Sequence, residues 1–471
     1  MTPDSRRPAA RAGVYRHDAM RRLLKPRSIA IVGASPTPGS FGQRTLANLS
    51  GFDGTIELVA RHEAIGERRC HGSVGELPAS PDCVVIAVAR DAVEGVVLEC
   101  ARKGAGGAIV YASGYAETGK PERVALQSRL SAIAREAGMP IIGPNCIGMV
   151  QCRSGAAVTF SAIPKFRPWN ERAIGLVSQS GALGFALAQA AEHGTVFSNI
   201  LTAGNSCDVD VADHVSFLAE DPDCRVIACV FEGMPDPTRM VEAGEIAWRA
   251  NKPLLVYKLA TGEQGAAAAM SHTGSLAGTQ AAYRAAFERA GIVIVERYEA
   301  LLEMAAFFAK APPPSAGGVA VVATSGGAAI LAADVAEVHG VALPQPGDAA
   351  RAVLEARVPE FGSPRNPCDV TGQVLNDPES LAECGRALMS DPAFGALVVP
   401  QVYAYGPSAQ RLAVLDAFAR EHGKPVCIAW LTEWLEGTGA SEAEGLPGLA
   451  LFRSMDRCFA TLAAWHRREA R

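Results

Sequence analysis

The chain carries the same strand–turn–helix pattern twice, and this repeat most limits the folds that it can adopt. A short apolar run is followed by Ser-Gln-Ser-Gly within Ile174–Gly194 and by Thr-Ser-Gly-Gly within Ala320–Gly340. Each turn leads into an apolar helix that closes with Glu, His and Gly. Such units build parallel α/β sheets, and the unpaired N–H groups at the start of each helix attract anions, most often phosphate. The repeat therefore predicts two parallel-sheet domains, each with an anion site at its turn.

Composition sets the class of the chain. A length of 471 residues exceeds one ordinary domain and predicts three. The chain is 49 % hydrophobic and 20 % charged with a net charge of −5, which describes a globular protein and gives no support for nucleic-acid binding. Its apolar runs are all shorter than the ~18 residues needed to cross a bilayer. The twelve cysteines form no Cys-x-x-Cys pair and lie mostly in apolar segments, so we expect reduced thiols and a cytoplasmic protein.

Predicted strands alternate with helices along the whole chain. Most strands are continuous runs of Val, Ile and Ala, as expected where helices cover both faces of a sheet. Helical segments such as Ala92–Lys103 and Leu381–Leu388 lie between them and indicate a mainly parallel α/β fold. The predicted strands are Ser28–Val32, Cys83–Ala89, Ala108–Tyr111, Ile141–Ile142, Ile174–Val177, Val226–Phe231, Leu254–Lys258, Val319–Val322, Leu397–Pro400 and Pro425–Trp430.

Two breaks divide this pattern into domains. Ser161–Asn170 separates the first unit from the strand at Ile174, and the Pro- and Gly-rich Ala311–Gly318 is the clearer linker. We therefore predict domains at residues 1–162, 163–312 and 313–471. The first 22 residues are rich in Arg, Pro and Ala, and we expect them to be a flexible tail.

The turn after the first strand is rich in glycine. Gly33, Gly39 and Gly42 lie in the segment GASPTPGSFG, before the next predicted helix. Such glycines let the backbone approach the pyrophosphate of a ligand at the helix start, with an ordinary structural turn as the alternative. The spacing differs from Gly-x-Gly-x-x-Gly, which favours a nucleotide-containing ligand other than a nicotinamide cofactor. Gly114–Pro121 is similar to a P-loop but lacks the magnesium-binding hydroxyl, and we interpret it as a ligand-facing loop.

His272 lies in the segment Ser271–Gly278, which reads SHTGSLAG. Its glycines loosen a predicted loop, its hydroxyls can meet a phosphoryl group, and the small residues Ala266–Ala269 before it suit a moving segment. A neutral imidazole is nucleophilic near neutral pH, so His272 is the candidate that accepts and releases a phosphoryl group. A solvated surface histidine is the alternative interpretation.

Glu232 follows the predicted strand Val226–Phe231, at the edge where parallel strands deliver catalytic side chains. It is the candidate carboxylate that fixes the tautomer of His272, and a helix cap or a solvated loop carboxylate are the alternatives. The sequence has no His-Glu-x-x-His, no Gly-x-Ser-x-Gly and no acidic cluster with metal-ligand spacing. No metal site is therefore predicted in this chain.

Together these segments resemble the alpha subunit of NDP-forming acyl-CoA synthetases, the superfamily of ADP-forming acetate–CoA ligase and succinyl-CoA synthetase. The resemblance covers nearly everything from Leu23 onward. It is carried by PRSIAIVGAS (Pro26–Ser35), GPNCIGM (Gly143–Met149), GLVSQSGALG (Gly175–Gly184), GNSCDVD (Gly204–Asp210), FEG (Phe231–Gly233), SHTGSLAG (Ser271–Gly278), TSGGAAILAADVAE (Thr324–Glu337) and NPCDVTG (Asn366–Gly372).

The resemblance implies an N-terminal Rossmann-like CoA-binding domain followed by two flavodoxin-like, succinyl-CoA synthetase-type domains. It implies that His272 is the phosphohistidine and that Glu232 is its orienting carboxylate. The two implied phosphate turns are formed by Ser178, Gln179, Ser180 and Gly181 and by Ser325, Gly326 and Gly327. The residues implied to bind coenzyme A are Gly33, Ala34, Ser35, Gly39, Gly42, Arg61, Ser113 and Asn145.

The implied activity joins a carboxylate to coenzyme A at the expense of ATP, through a phosphohistidine and an acyl phosphate. ATP, ADP and Mg²⁺ are expected on the ATP-grasp domains of a separate beta subunit, in a hetero-oligomer. Val59-Ala60-Arg61-His62 replaces the family's Val-Asn-Pro-Lys, and Arg61 can substitute for the lysine. This departure suggests a second hypothesis, a CoA or acyl-CoA sensor without turnover. A third, a nicotinamide-dependent oxidoreductase, follows only from the Rossmann-like start.

Overall fold

A computed structural model of the protein contains three β-sheets with helices on their faces. The structure describes residue 11 and residues 13–273, 280–375, 377 and 379–471, and the side chains of residues 270–273, 280, 407 and 408 lie outside this description. Contacts divide the chain into two compact units: one runs to residue 298 apart from residues 193–195, which join residues 299–471 in the other. The predicted α/β class with mainly parallel sheets is confirmed.

The glycine-rich turn of the first sheet lies at the point where the strand order reverses. Its strands are β1 (Ser28–Val32), β2 (Thr55–Val59), β3 (Ala64–Ile65), β4 (Arg68–His71), β5 (Cys83–Ile86), β6 (Ala108–Val110) and β7 (Ile141–Ile142). Its helices are α1 (His17–Leu24), α2 (Phe41–Asn48), α3 (Arg90–Lys103) and α4 (Pro121–Ala137). The order is β3-β4-β2-β1-β5-β6-β7, with β1 parallel to both neighbours. Because the chain leaves β1 on one side and returns on the other, a crevice opens at its carboxyl end.

Residues 13–27 belong to the fold, which differs from the predicted flexible tail over residues 13–22. α1 buries Met20, Leu23 and Leu24 completely, because their spacing places them on one face of a helix. Lys25 Nζ then donates to Asp221 Oδ1 at 2.8 Å. Arg21 and Arg22 lie on the exposed face of α1, whereas Arg11 is half-buried and paired with Asp208.

The second sheet carries the first of the two repeated turns. Its strands are β8 (Gly148–Gln151), β9 (Ala156–Thr159), β10 (Ile174–Ser178), β11 (Phe197–Thr202), β12 (Val226–Phe231), β13 (Leu254–Lys258) and β14 (Val293–Val295). Its helices are α5 (Gly181–Ala188), α6 (Val211–Glu220), α7 (Thr238–Arg249), α8 (Glu263–Thr273) and α9 (Gln280–Arg289). The order is β14-β13-β12-β10-β11-β8-β9. Every residue of β10 and β12 is buried, which explains their continuous apolar runs.

Two strands of this second sheet precede the predicted domain boundary at residue 162. β8 and β9 form an antiparallel hairpin, and β8 pairs antiparallel with β11 at the sheet edge. The hairpin connects the two sheets along the chain, and both sheets lie in one compact unit.

The third sheet carries the second repeated turn. Its strands are β15 (Gly318–Ala323), β16 (Cys368–Asp369), β17 (Phe394–Gln401), β18 (Val426–Trp430) and β19 (Leu449–Phe452), in the order β16-β15-β17-β18-β19. Its helices are α10 (Leu301–Lys310), α11 (Gly326–Val338), α12 (Asp348–Arg357), α13 (Glu379–Ser390), α14 (Gly406–His422), α15 (Ala440–Gly445) and α16 (Met455–Glu469). α10 precedes the predicted boundary at residue 312, yet Lys310 Nζ donates to Glu444 O and Leu449 O at 2.7 Å each.

The cysteines have a structural role. All twelve are free, and all except Cys152 are buried, so they serve as small apolar residues. Burial raises the pKa of the Cys146 thiol to about 11. None of the described helices is both long and apolar enough to span a bilayer.

Candidate active site

A cavity of about 350 Å³ in the first compact unit brings five predicted site residues together. Asn145, Gln179, Ser180, Gly181 and Glu232 all line it. They come from the loops after β7, β10 and β12, so chain segments that are distant in sequence meet at one place. The cavity is therefore the candidate active site of the described part of the chain.

The start of α5 forms one wall of this cavity. Ser180 caps the helix by accepting from Leu183 N at 3.4 Å, which leaves the other early N–H groups directed outward. Gly181 is required because a Cβ there would lie 2.7 Å from Ile147 Cδ1. Ser178 is fully buried and its hydroxyl donates to Ser180 O at 2.5 Å. Ser178 thus shapes the turn from inside, while Ser180 and Gly181 face the cavity.

Gln179 holds the turn that carries Glu232. Its Oε1 accepts from Glu232 N at 3.0 Å and from Gly233 N at 3.2 Å, and its Nε2 donates to Gly233 O at 2.9 Å. The side-chain amide thereby replaces a missing backbone partner at the end of β12. Phosphate binding by Gln179 stays a prediction, and its described hydrogen bonds hold the backbone of Glu232 and Gly233.

Lys258 is a site residue that sequence analysis missed. It ends β13, and its Nζ donates to Glu232 O and Leu259 O at 2.5 Å each. The ammonium lies 5.5 Å from the centre of the Phe231 ring and 5.1 Å from that of Tyr283. Burial lowers the pKa of Lys258 to about 8, opposed by the charge of Glu232. A lysine at the carboxyl end of a central strand was the available sequence signal.

The loops after β7 and β11 meet at another wall of the cavity. Asn145 has a φ of 55° and its Nδ2 donates to Asn205 Oδ1 at 3.3 Å. Asn205 in turn donates to Gln127 Oε1 at 3.1 Å. Gly204 is required there, because a Cβ would lie 2.6 Å from the carbonyl oxygen of Pro144. The motifs GPNCIGM and GNSCDVD therefore pack against each other.

Arg239 anchors the N-terminal segment beside the cavity. Only 2 % exposed, it donates to Asp210 Oδ2 at 2.8 Å and to Asp213 Oδ2 at 2.9 Å. Its Nη1 donates to the carbonyl oxygens of Arg11 at 2.8 Å and Gly13 at 2.7 Å. The guanidinium thus satisfies two buried carboxylates and two backbone carbonyls at once.

Arg11 completes this network. Its guanidinium pairs with Asp208 at 3.4 Å and with Asp213, and it stacks 3.3 Å from the centre of the Tyr15 ring. Burial and the nearby Asp208 raise the pKa of Tyr15 to about 12, so its hydroxyl stays a neutral donor to Asp208. The acidic side chains of this wall are therefore compensated by arginine.

The glycine-rich turn after β1 does not line the cavity. Gly33 has a φ of 87°, and a Cβ on Gly42 would lie 2.3 Å from the carbonyl oxygen of Gly33. The start of α2 therefore lies directly on the end of β1, with Ser40 as its cap. Arg61 and Ser113 are exposed in the loops after β2 and β6, at the same carboxyl edge. Of the remaining residues implied to bind coenzyme A, Ala34 is buried, Gly39 has a φ of 82°, and Ser35 Oγ accepts from Thr37 N.

The turn at the start of α11 belongs to the second compact unit. Ser325 precedes the helix without a side-chain capping bond, and Gly327 is exposed. A Cβ on Gly326 would lie 3.1 Å from Asp369 Oδ2. Asp369 also accepts from Thr371 N at 2.9 Å, so a carboxylate lies beside this turn.

The backbone of His272 lies in α8 (Glu263–Thr273). We predicted a loop from Ser271, and the helical backbone of residues 271–273 corrects this expectation. The reason is the helix-favouring alanine run before it, which carries the helix further along the chain. The side chain of His272 and residues 274–279 lie outside the described part of the chain, and its pairing with Glu232 stays a prediction.

Comparison with known proteins gives two family models that match the chain. A CoA binding domain matches residues 27–151, and a succinyl-CoA ligase like flavodoxin domain matches residues 171–308. The acetate–CoA ligase (ADP-forming) II subunit alpha of Pyrococcus furiosus is 30 % identical over 435 residues, 90 % of this chain and 93 % of the relative. Trans-feruloyl-CoA synthase FCS1, from an unknown prokaryotic organism, is 33 % identical over 82 % of this chain, which spans 55 % of that relative.

A solved structure is similar over nearly the whole chain. It is the dinucleotide forming acetyl-coenzyme A synthetase 1 of Ca. Korarchaeum cryptofilum in complex with phosphate and ADP. The TM-score is 0.84 at 29 % identity, and the match covers 95 % of this chain and 96 % of that chain. The similarity includes all three sheets described above.

Proposed function

The chain belongs to the family of ADP-forming acetate–CoA ligase alpha subunits, and on this premise we propose that it is the alpha subunit of an acyl-CoA synthetase. The enzyme interconverts a carboxylate, coenzyme A and ATP with an acyl-CoA, ADP and phosphate. The observation that carries the proposal is the cavity in which the start of α5 faces the turn of Glu232. It combines donors for a phosphoryl group with a carboxylate that can orient an imidazole.

The reaction proceeds in three displacements. An imidazole nitrogen of His272 attacks the terminal phosphorus of ATP on the partner subunit, and ADP leaves. A carboxylate oxygen of the acid then attacks the phosphohistidine, which forms the acyl phosphate and frees His272. The thiolate of coenzyme A finally attacks the acyl carbon, phosphate leaves, and the thiol proton passes to solvent. Covalent catalysis divides one difficult condensation into easier steps.

Residues of this chain have distinct roles in these steps. The N–H groups at the start of α5 stabilise the phosphoryl group, and Glu232 fixes the tautomer of His272. Gln179 and Lys258 hold the backbone of Glu232 through the contacts described above. Coenzyme A binds at the carboxyl edge of the first sheet, along the Gly33–Gly42 turn and near Arg61 and Ser113.

A partner subunit supplies the nucleotide site. The chain spans nearly the full length of the alpha subunit to which it is similar but 55 % of the feruloyl-CoA synthase. The name of the Pyrococcus furiosus relative, a subunit alpha, supports a second subunit, which we propose carries the ATP-grasp domains. We propose that Ser325, Gly326 and Gly327, at the start of α11, form a second phosphate site.

Phosphorylation of the chain tests the proposal. With the partner subunit and radiolabelled ATP, the chain acquires a phosphate that is labile in acid and stable in base, and acyl-CoA forms when an acid and coenzyme A follow. His272→Asn abolishes the labelling, whereas His193→Asn, at an exposed position, retains it. Equal labelling of the His272→Asn chain, or binding of coenzyme A without any labelling or turnover, contradicts the proposed function.

A further inference from the structure

The cavity beside Glu232 has room for more than one small anion. Its volume is about 350 Å³, whereas a water molecule takes up about 30 Å³ of the liquid. Acetate and phosphate are each only a few water volumes in size. The space beyond the start of α5 therefore suits a longer acid.

One face of α4 lines this space. The residues that line it recur at positions i, i+3, i+4, i+7 and i+11 of the helix, as residues on one helical face do. They are Val124, Gln127, Ser128, Ser131 and Arg135. Ser131 Oγ donates to Cys207 O at 2.5 Å, and Gln127 is bonded to Asn205. Arg135 ends the stripe and is exposed to the cavity.

Among the arginines that line the cavity, Arg11 and Arg239 are paired with described carboxylates and Arg135 is not. The lining carboxylate of Glu117 accepts from Gly114 N, Tyr115 N and Asn205 Nδ2. Asp208 is bonded to Arg11, Tyr15 and the backbone N–H of Ile141, and Asp210 is paired with Arg239. The charge of Arg135 reaches Asp208, but no carboxylate of the described residues lies within ion-pair distance of its guanidinium. The guanidinium is therefore available to an anion inside the cavity.

We propose that the cavity takes a carboxylic acid whose far end carries a second negative charge, and that Arg135 binds this end. The proposal rests on the proposed function, because the other carboxylate then faces Glu232 and the start of α5. A guanidinium suits this task because its planar donors match a carboxylate in a bidentate pair. Arg135 is thus the residue that determines specificity for diacids over monoacids. A phosphate of coenzyme A is the other anion that Arg135 can meet, and the experiment separates the two.

The test compares acids of equal chain length with the enzyme reconstituted from both subunits. The pairs are succinate and butyrate, glutarate and valerate, and adipate and hexanoate. The unmodified enzyme has the higher kcat/KM for a diacid. Arg135→Gln lowers that kcat/KM by about 10- to 100-fold, as expected for loss of a charged hydrogen-bond partner. It leaves the matched monoacid and the KM for coenzyme A unchanged, and Arg135→Lys restores part of the loss.

Arg129→Gln is the matched control on the same helix. Arg129 pairs with Glu94 at 2.7 Å and does not line the cavity, so its loss leaves both acid classes unchanged. An equal loss for diacids and monoacids, or a raised KM for coenzyme A in Arg135→Gln, overturns the inference. Absence of turnover with every acid contradicts the proposed function instead. In that case, thermal unfolding with and without glutarate tests the inference directly. If glutarate stabilises the unmodified chain but not Arg135→Gln, the inference is supported. If it stabilises both chains equally, the inference is overturned.

Discussion

Replacing Gln179 with Ala tests whether the turn of Glu232 must be held in place for catalysis. The side chain makes three hydrogen bonds to the backbone of Glu232 and Gly233, at 2.9 to 3.2 Å. Each such bond contributes about 1 kcal/mol, so the variant should lose up to about 3 kcal/mol in free energy of unfolding. Water can reach part of this half-buried side chain, which lowers the loss. Misplacement of Glu232 should also reduce kcat by about 10- to 100-fold, because small shifts of catalytic groups are costly.

Two measurements on the Gln179→Ala variant separate positioning from stability. Urea unfolding gives the loss in free energy, and turnover with the partner subunit gives kcat and the level of phosphorylated chain. Gln189→Ala, at an exposed site at the other end of α5, serves as the control with the same change of side chain. A variant that is less stable yet retains normal kcat and normal phosphorylation would refute the positioning role of Gln179.

Two further predictions follow from Lys258 and Gly42. Burial lowers the pKa of Lys258 from 10.5 to about 8, so the unfolded chain holds this proton to higher pH than the folded one. Stability relative to Lys258→Met should therefore rise as pH increases from 8 to 10.5. Urea unfolding across this pH range gives the free energy of unfolding of both chains. A difference between them that does not change with pH contradicts the prediction. Gly42→Ala places a Cβ 2.3 Å from Gly33 O, whereas Gly51→Ala meets nothing within 4 Å. We expect Gly42→Ala, but not Gly51→Ala, to lose about 1–3 kcal/mol in free energy of unfolding. Calorimetry should also show weaker binding of coenzyme A to Gly42→Ala, and equal affinities of the two variants would contradict this expectation.

Several strands could be predicted from sequence because burial leaves a continuous apolar run as a local signal. β1, β7, β12 and β13 begin and end at the predicted residues. The repeated turns also lie where the pattern placed them, each between a buried strand and a helix. These features depend on neighbours in sequence, so local patterns suffice.

Other features depend on partners far along the chain. The bond from Arg239 Nη1 to Arg11 O joins residues 228 positions apart, and that from Lys258 Nζ to Glu232 O joins residues 26 apart. No local pattern shows such partners. α1 is different, because the spacing of Met20, Leu23 and Leu24 was visible, but the surrounding arginines favoured a solvated tail.

The β8–β9 hairpin restricts how this molecule can be recombined with its relatives. A fragment that stops at residue 162 would contain β8 and β9, which belong to the second sheet. The rest of the chain would then have an unpaired edge at β11. Unpaired edges of this kind promote aggregation. Chimaeras that exchange only the coenzyme A-binding half should therefore be insoluble, whereas a cassette that keeps both halves together through residue 298 should transfer intact.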